Sequence, residues 1–176
     1  SFQQPGPGRM LPLGKRIIAE LLPGRCSICG RIRDTDSGNR LVCSVCLNLL
    51  KPKTGGYCPL CARIYADEVS LHPCQKCRAT PFSWSSISFY STYEGLLKEL
   101  VLRYKFRGQL GLGAVLGDLL FQSVQDISRM LDCVVPVPLH EQRLRHRGFN
   151  QCLELSRILA GRMHLPVFRQ AVVKTR

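Results

Sequence analysis

Cys26-Ser27-Ile28-Cys29, Cys43-Ser44-Val45-Cys46, Cys58-Pro59-Leu60-Cys61 and Cys74-Gln75-Lys76-Cys77 follow one another in the first half of the chain, and these four pairs decide the fold. Two residues between cysteines allow a tight knuckle turn that aims both sulfurs at one ion, at about 2.3 Å for zinc. Each knuckle fills half of a tetrahedron and two close a site, so eight thiolates supply two all-sulfur sites. A chelated dication then organises a segment too poor in core to fold alone. Gly30 after the first pair and Pro59 inside the third are turn residues of the kind knuckles use. Between the pairs lie 13, 11 and 12 residues, each long enough for a short hairpin or a turn plus a helical stub. The favoured pairing is sequential, with Cys26, Cys29, Cys43 and Cys46 on one zinc and Cys58, Cys61, Cys74 and Cys77 on the next. The spacing leaves an interleaved cross-brace open.

Two other readings of paired cysteines are weaker. A disulfide framework demands an oxidising compartment, and no basic-then-apolar leader with a small-residue cleavage site is seen. A redox dithiol is one Cys-x-x-Cys at a helix start in a thioredoxin-like context, not four in series. His72, two residues before Cys74, is a conceivable replacement ligand but reads as an exposed loop histidine. Cys133 and Cys152 have no partner at knuckle spacing and read as small buried apolar residues.

The 176 residues suit one or two small domains, and 45% apolar content is ordinary for a globular protein. No apolar run approaches the roughly 18 residues of a membrane span, and reduced thiols fit a cytoplasmic location. Twenty-five Lys and Arg against 12 Asp and Glu leave a net charge of +13, which points to polyanions or phosphorylated small molecules as partners.

Read in order, residues 1–22 form a disordered tail and a short amphipathic helix, with Leu13, Ile17, Ile18, Leu21 and Leu22 on its apolar face. Residues 23–81 form the metal module, and 82–176 a second domain. There Ile87 and Phe89 alternate as in a strand, and Leu96, Leu97, Leu100, Val101 and Tyr104 make one helical stripe. Val115, Leu116, Leu119, Leu120, Val124, Ile127 and Leu131 make another, over 112–131. Cys133-Val134-Val135-Pro136-Val137-Pro138 reads as a strand buried on both faces of a parallel sheet, and proline forces the chain to leave the ladder. Leu139 to Gly148 reads as a basic loop, 149–163 as a helix, and Ala171-Val172-Val173 as the opening of another strand.

A buried strand, an arginine-rich loop, a glycine and a helix start make a phosphate-binding arrangement in an open α/β sheet. Arginine adds planar donors that match phosphate oxygens. The wording goes further: Val134-Val135-Pro136-Val137-Pro138-Leu139-His140, followed by Arg143-Leu144-Arg145-His146-Arg147-Gly148-Phe149-Asn150-Gln151, resembles the signature of the ComF family of competence-associated proteins. The paired knuckles and the stretch Tyr93 to Gly108, with Tyr-Glu-Gly-Leu-Leu and Tyr-Lys-Phe-Arg-Gly, agree with that family, and the likeness covers Cys26 to Arg176.

The resemblance implies an α/β fold: an amino-terminal double zinc ribbon, then a partial type I phosphoribosyltransferase-like domain with a mainly parallel sheet. It implies that Arg143, Arg145, Arg147 and Gly148 meet phosphate, with Asn150 and Gln151 hydrogen-bonding at the helix start and Lys105 and Arg107 as secondary contacts. Asn150 and Gln151 also have the plainer reading of helix caps. The family's acidic phosphoribosyl-diphosphate loop has no counterpart here, since the sequence contains no Asp-Asp, and the expectation is a domain lacking its carboxyl-terminal part. The implied function is DNA uptake and utilisation, with single-stranded DNA or a DNA-uptake helicase as partner. The alternatives are a phosphoribosyltransferase using 5-phosphoribosyl 1-diphosphate with magnesium when complete, or a zinc-ribbon docking module.

Overall fold

The computed structural model describes residues 24–33, 41–66, 69–80 and 82–172. The expected tail and helix of residues 1–22 lie outside them. Two copies of one small unit open the chain. In the first, the Cys26 N–H donates to the Arg31 carbonyl (2.8 Å) and Gly30 closes the turn back onto Cys26 (2.9 Å). An antiparallel bridge joins Arg25 to Ile32 beside it. In the second, Cys58 donates to Arg63 (2.9 Å), Ala62 closes onto Cys58 (2.8 Å), and Tyr57 bridges Ile64. Each copy ends in a short helix capped by a cysteine: α1 (Ser44–Leu49) after Cys43, and α2 (Gln75–Ala79) after Cys74.

The remainder is helical. α3 (Gly95–Phe106), α4 (Leu112–Val124) with a 3-10 extension (Gln125–Met130), α5 (Glu141–Arg147) and α6 (Gln151–Met163) follow in order. The apolar stripes read from the sequence face one another: Leu100 and Tyr104 of α3 meet Leu112, Val115, Leu116 and Leu119 of α4. α6 packs along α4, and Gly117 permits the close approach, because a Cβ there would sit 2.5 Å from Ile158 Cγ2.

This overturns the α/β fold class: among the described residues there is no sheet, only isolated bridges, and the mainly parallel sheet of a phosphoribosyltransferase-like domain is absent. The cause lies in the residues. In the run Cys133 to Pro138, prolines 136 and 138 have no N–H to donate, so pairing stops at one bridge. There Val134 donates to Pro166 (2.9 Å) and accepts from Phe168 (3.0 Å). Val137 is 70% exposed, the opposite of a strand covered on both faces. Ile87 and Phe89 alternate for another reason. The Ile87 N–H donates to Pro59 (2.7 Å) and the Phe89 ring lies 4.7 Å from that of Tyr57, so the segment is laid against the second copy of the cysteine unit. Ala171 and Val172 form a bend, and Val173 lies outside the described residues.

The basic loop is likewise a helix. His140 caps α5, its Nδ1 accepting from the Gln142 N–H (3.2 Å); Glu141 occupies the first turn and Arg145, His146 and Arg147 the last, as the helix dipole favours. Gly148 ends it at φ 80, a left-handed conformation costly for other residues.

Candidate functional site

The eight knuckle cysteines gather into two sets, Cys26, Cys29, Cys43 and Cys46, and Cys58, Cys61, Cys74 and Cys77, with the sulfurs of each set within 4.8 Å of one another. The pairing is therefore sequential. A tetrahedron with 2.3 Å bonds has edges of about 3.8 Å, and the Sγ separations Cys29 to Cys43 (3.7 Å) and Cys61 to Cys74 (3.9 Å) match that edge. In both sets a backbone N–H supports a sulfur from behind: Cys43 N–H to Cys26 Sγ at 3.4 Å, and Cys74 N–H to Cys58 Sγ at 3.3 Å. Such donors orient a thiolate and stabilise its charge.

Titration follows that geometry. Burial pushes the Cys26 and Cys58 thiols up, but backbone N–H groups outweigh it and bring them down to about 6 and about 5. At Cys74 the Cys77 N–H leads, and its value is lowered. Burial and neighbouring sulfurs raise Cys46, and hold Cys77 up at about 12. Four clustered thiols cannot all ionise without a counter-charge, and a zinc dication in each set supplies it. His72 takes no part; its ring stacks on Tyr65 at 4.8 Å.

The two sets differ in what surrounds them. Cys26, Cys43 and Cys46 share one core with Ile28, Val42, Leu50 and the buried faces of α3 and α4. Arg103 of α3 ties them together, both terminal nitrogens donating to the Ile28 carbonyl at 3.2 Å. Cys58, Cys74 and Cys77 form a separate small cluster with Leu60, Cys61, Tyr65 and Phe82.

The basic residues divide just as clearly. Arg147 donates to the Gln151 Oε1 and its guanidinium lies over the Phe106 ring, 5.1 Å from the centroid, so three helices meet at one side chain. Phe149, between α5 and α6, anchors this corner by packing edge-on against Tyr104 at 5.4 Å. A hollow of about 430 Å³ lies between Phe106, Gln142, Arg143, His146 and Arg147. A smaller one of about 100 Å³ adjoins it, lined by Lys105, Phe106, Gly108, His146, Arg147 and Phe149. Arg143, Arg147 and Lys105 are thus brought together. Arg145 is not, since it turns to the far side of α5 and pairs with Glu141 at 2.6 Å. Arg107 is exposed at the end of α3 and lines neither hollow. Gly148 makes the turn, and Asn150 caps α6, its Oδ1 accepting from Cys152 (3.0 Å) and Leu153 (3.2 Å).

Sequence reasoning misses two residues at this corner, His146 and Phe106. The signal for Phe106 is present: it lies off the apolar stripe of α3, between Lys105 and Arg107, where a helix seeking only a core has no use for an aromatic.

Comparison with known proteins agrees with the metal geometry. The family described as the double zinc ribbon domain matches residues 17–78. Over 135 residues the chain is 33% identical to the competence protein ComFC of Bacillus subtilis, covering 73% of this chain and 55% of that protein. It is 28% identical over 161 residues to competence protein F of Haemophilus influenzae, covering 86% and 66%. Against the DNA utilization protein YhgH of Escherichia coli K12 it is 30% identical over 161 residues, covering 88% and 68%. The chain belongs to the ComF family. Its two four-cysteine sets are the zinc sites of the ComF double zinc ribbon. The chain spans between 55% and 68% of the length of these ComF relatives. No solved structure matches. Among the described residues no helix is long and apolar enough to cross a membrane.

Proposed function

We propose that this chain acts in DNA uptake and utilisation as an accessory protein that holds single-stranded DNA on the basic corner formed by α3, α5 and the start of α6. The observation that carries the reading is the convergence of Lys105, Arg143, His146 and Arg147 from two helices onto shared hollows whose ionisable lining groups are all basic. Arg145 and Arg107 add charge on the flanks, while Gly148, Asn150 and Gln151 hold the corner in shape. A net charge of +13 supplies long-range attraction to a polyanion. The names of the relatives, competence proteins and a DNA utilization protein, point the same way. The zinc ribbon is the scaffold, since its first site shares the core from which α3 projects. Ten free cysteines in metal-binding or half-buried positions suit a reducing compartment such as the cytoplasm.

Binding to a labelled oligothymidylate, followed by fluorescence anisotropy across a salt series, tests this. If three or four phosphates are neutralised, log affinity falls against log salt with a slope of roughly −2 to −3. Absence of binding at low salt, or binding indifferent to salt, removes the proposed role.

A further inference from the structure

Phe106 is hard to explain as a structural residue. It is 67% exposed at the end of α3, yet it is held: Arg147 lies over its ring, and Gln151 of α6 fixes Arg147. Basic side chains surround it, with Arg143, His146 and Arg147 on α5 and Lys105 beside it on α3. Arg143 and Lys105 have no hydrogen-bond or ion-pair partner among the described residues. The like charges of Lys105, Arg143 and Arg147 at one corner favour an anionic ligand. A ring with a pinned guanidinium on it and two unpaired cations, Arg143 and Lys105, close by suits a ligand carrying both a planar π-face and a phosphate.

We propose that Phe106 is a base-stacking platform: one unpaired nucleobase lies on the exposed Phe106 ring beside the Arg147 guanidinium, while the adjoining backbone phosphates meet Arg143 and Lys105. This rests on the single-strand reading above and deepens it by naming the residue that distinguishes an unpaired base from a duplex. The larger hollow, about 430 Å³, falls in the range of small-ligand sites. Stacking is tolerant of base identity, because every base has a π-face. The hollow runs along α5 from Gln142 to Arg147 and meets Phe106 at the C-terminal end of α3.

The test uses the full, zinc-loaded chain and an oligothymidylate carrying one 2-aminopurine. Phe106→Ala lowers affinity roughly 10- to 100-fold, leaves the salt slope unchanged, and abolishes the quenching of 2-aminopurine seen with wild type. Phe106→Trp restores both, and Arg143→Gln reduces the salt slope by about one. Competition by thymidine monophosphate at high concentration in wild type but not in Phe106→Ala marks a site for single nucleotides. Competition confined to longer strands marks a strand site, and either supports stacking. Duplex DNA of the same length binds wild type and Phe106→Ala equally. Zinc content and helical circular dichroism equal to wild type show that the variants are folded. If wild type binds single strands and Phe106→Ala binds as tightly with the same quenching, the stacking role is wrong and the DNA reading stands. If wild type binds no single strand, both fall.

Discussion

Replacing one cysteine in each zinc site separates what the two sites hold together. Cys46→Ser opens the first site, whose ligands share a core with Ile28, Val42 and Leu50 and with the inner faces of α3 and α4. Those three aliphatic side chains alone are worth about 1.5–3 kcal/mol each when buried, roughly 5–9 kcal/mol together. The charge-assisted bonds from Arg103 to the Ile28 carbonyl add about 1.5–3 kcal/mol. Closing a structural zinc site contributes about 10–16 kcal/mol of apparent free energy, against about 5–15 kcal/mol for the stability of a whole domain. Cys46→Ser is therefore expected to abolish the cooperative helical unfolding transition. Cys77→Ser opens a site packed only against Leu60, Cys61, Tyr65 and Phe82, so the helices should keep their signal and melt within a few degrees of wild type.

One side chain reports the local event. Trp84 is the single tryptophan; its ring packs on Phe82 at 4.8 Å and its Nε1 donates to the Leu60 carbonyl at 2.9 Å, beside the second site. In Cys77→Ser its fluorescence should shift to the red while circular dichroism at 222 nm is retained and one zinc remains. A Cys46→Ser variant that melts like wild type, or a Cys77→Ser variant that loses its helices, would refute the assignment of the first site to the shared core.

Gly117→Ala forces a Cβ to within 2.5 Å of Ile158 Cγ2, so it should cost about 1–3 kcal/mol in chemical denaturation, and adding Ile158→Ala should recover part of the loss; additive effects would show that the helices do not touch there. Burial raises the Tyr104 phenol above its ordinary value of 10.0, with Glu154 and then Cys152 adding to the rise. A group raised on folding contributes stability that is complete below its unfolded value and is lost as pH rises through its folded value. Helical stability should therefore decline above about pH 10, and Tyr104→Phe should move the alkaline midpoint upward; an unmoved midpoint contradicts this cause.

The metal sites were legible because knuckle spacing is a local geometric code: two residues between sulfurs permit few conformations, and Cys26, Cys29, Cys43 and Cys46 can be matched without knowing the rest of the fold. Sequential pairing was the favoured of two open choices, and the N–H donors of Cys43 and Cys74 to the first sulfur of each set show why it holds. The stripes of α3 and α4 are legible through their period: α3 matches its stripe within a few residues, while α4 ends at Val124 and a 3-10 segment, Gln125–Met130, carries the rest of the stretch read as helix to 131. Cys133 to Pro138 reads as a sheet strand where none forms, because an apolar run records burial without recording partners. Prolines 136 and 138 limit what any neighbour can accept, and a single bridge to Val167 results. The helix at Glu141 escapes the sequence pattern for the reverse reason. Leu139 to Gly148 reads as a basic loop although its cap and end charges are those of a helix, and a helix turns the alternate arginines to opposite faces.

That last point governs the chemistry of the corner. On an extended loop Arg143, Arg145 and Arg147 would project one way and present three forks to one phosphate. On α5, residues four apart share a face and residues two apart do not, so Arg143 and Arg147 line the same hollow while Arg145 is paired with Glu141 at the surface. An exposed pair of this kind contributes about 0–1 kcal/mol, so Arg145 is held only loosely. The surface that results has cations spaced around an aromatic ring and no tight cradle. Under the single-strand proposal, such a surface would bind through many weak, salt-sensitive contacts spread along a ligand, as suits a flexible strand with repeating charge and repeating planar groups.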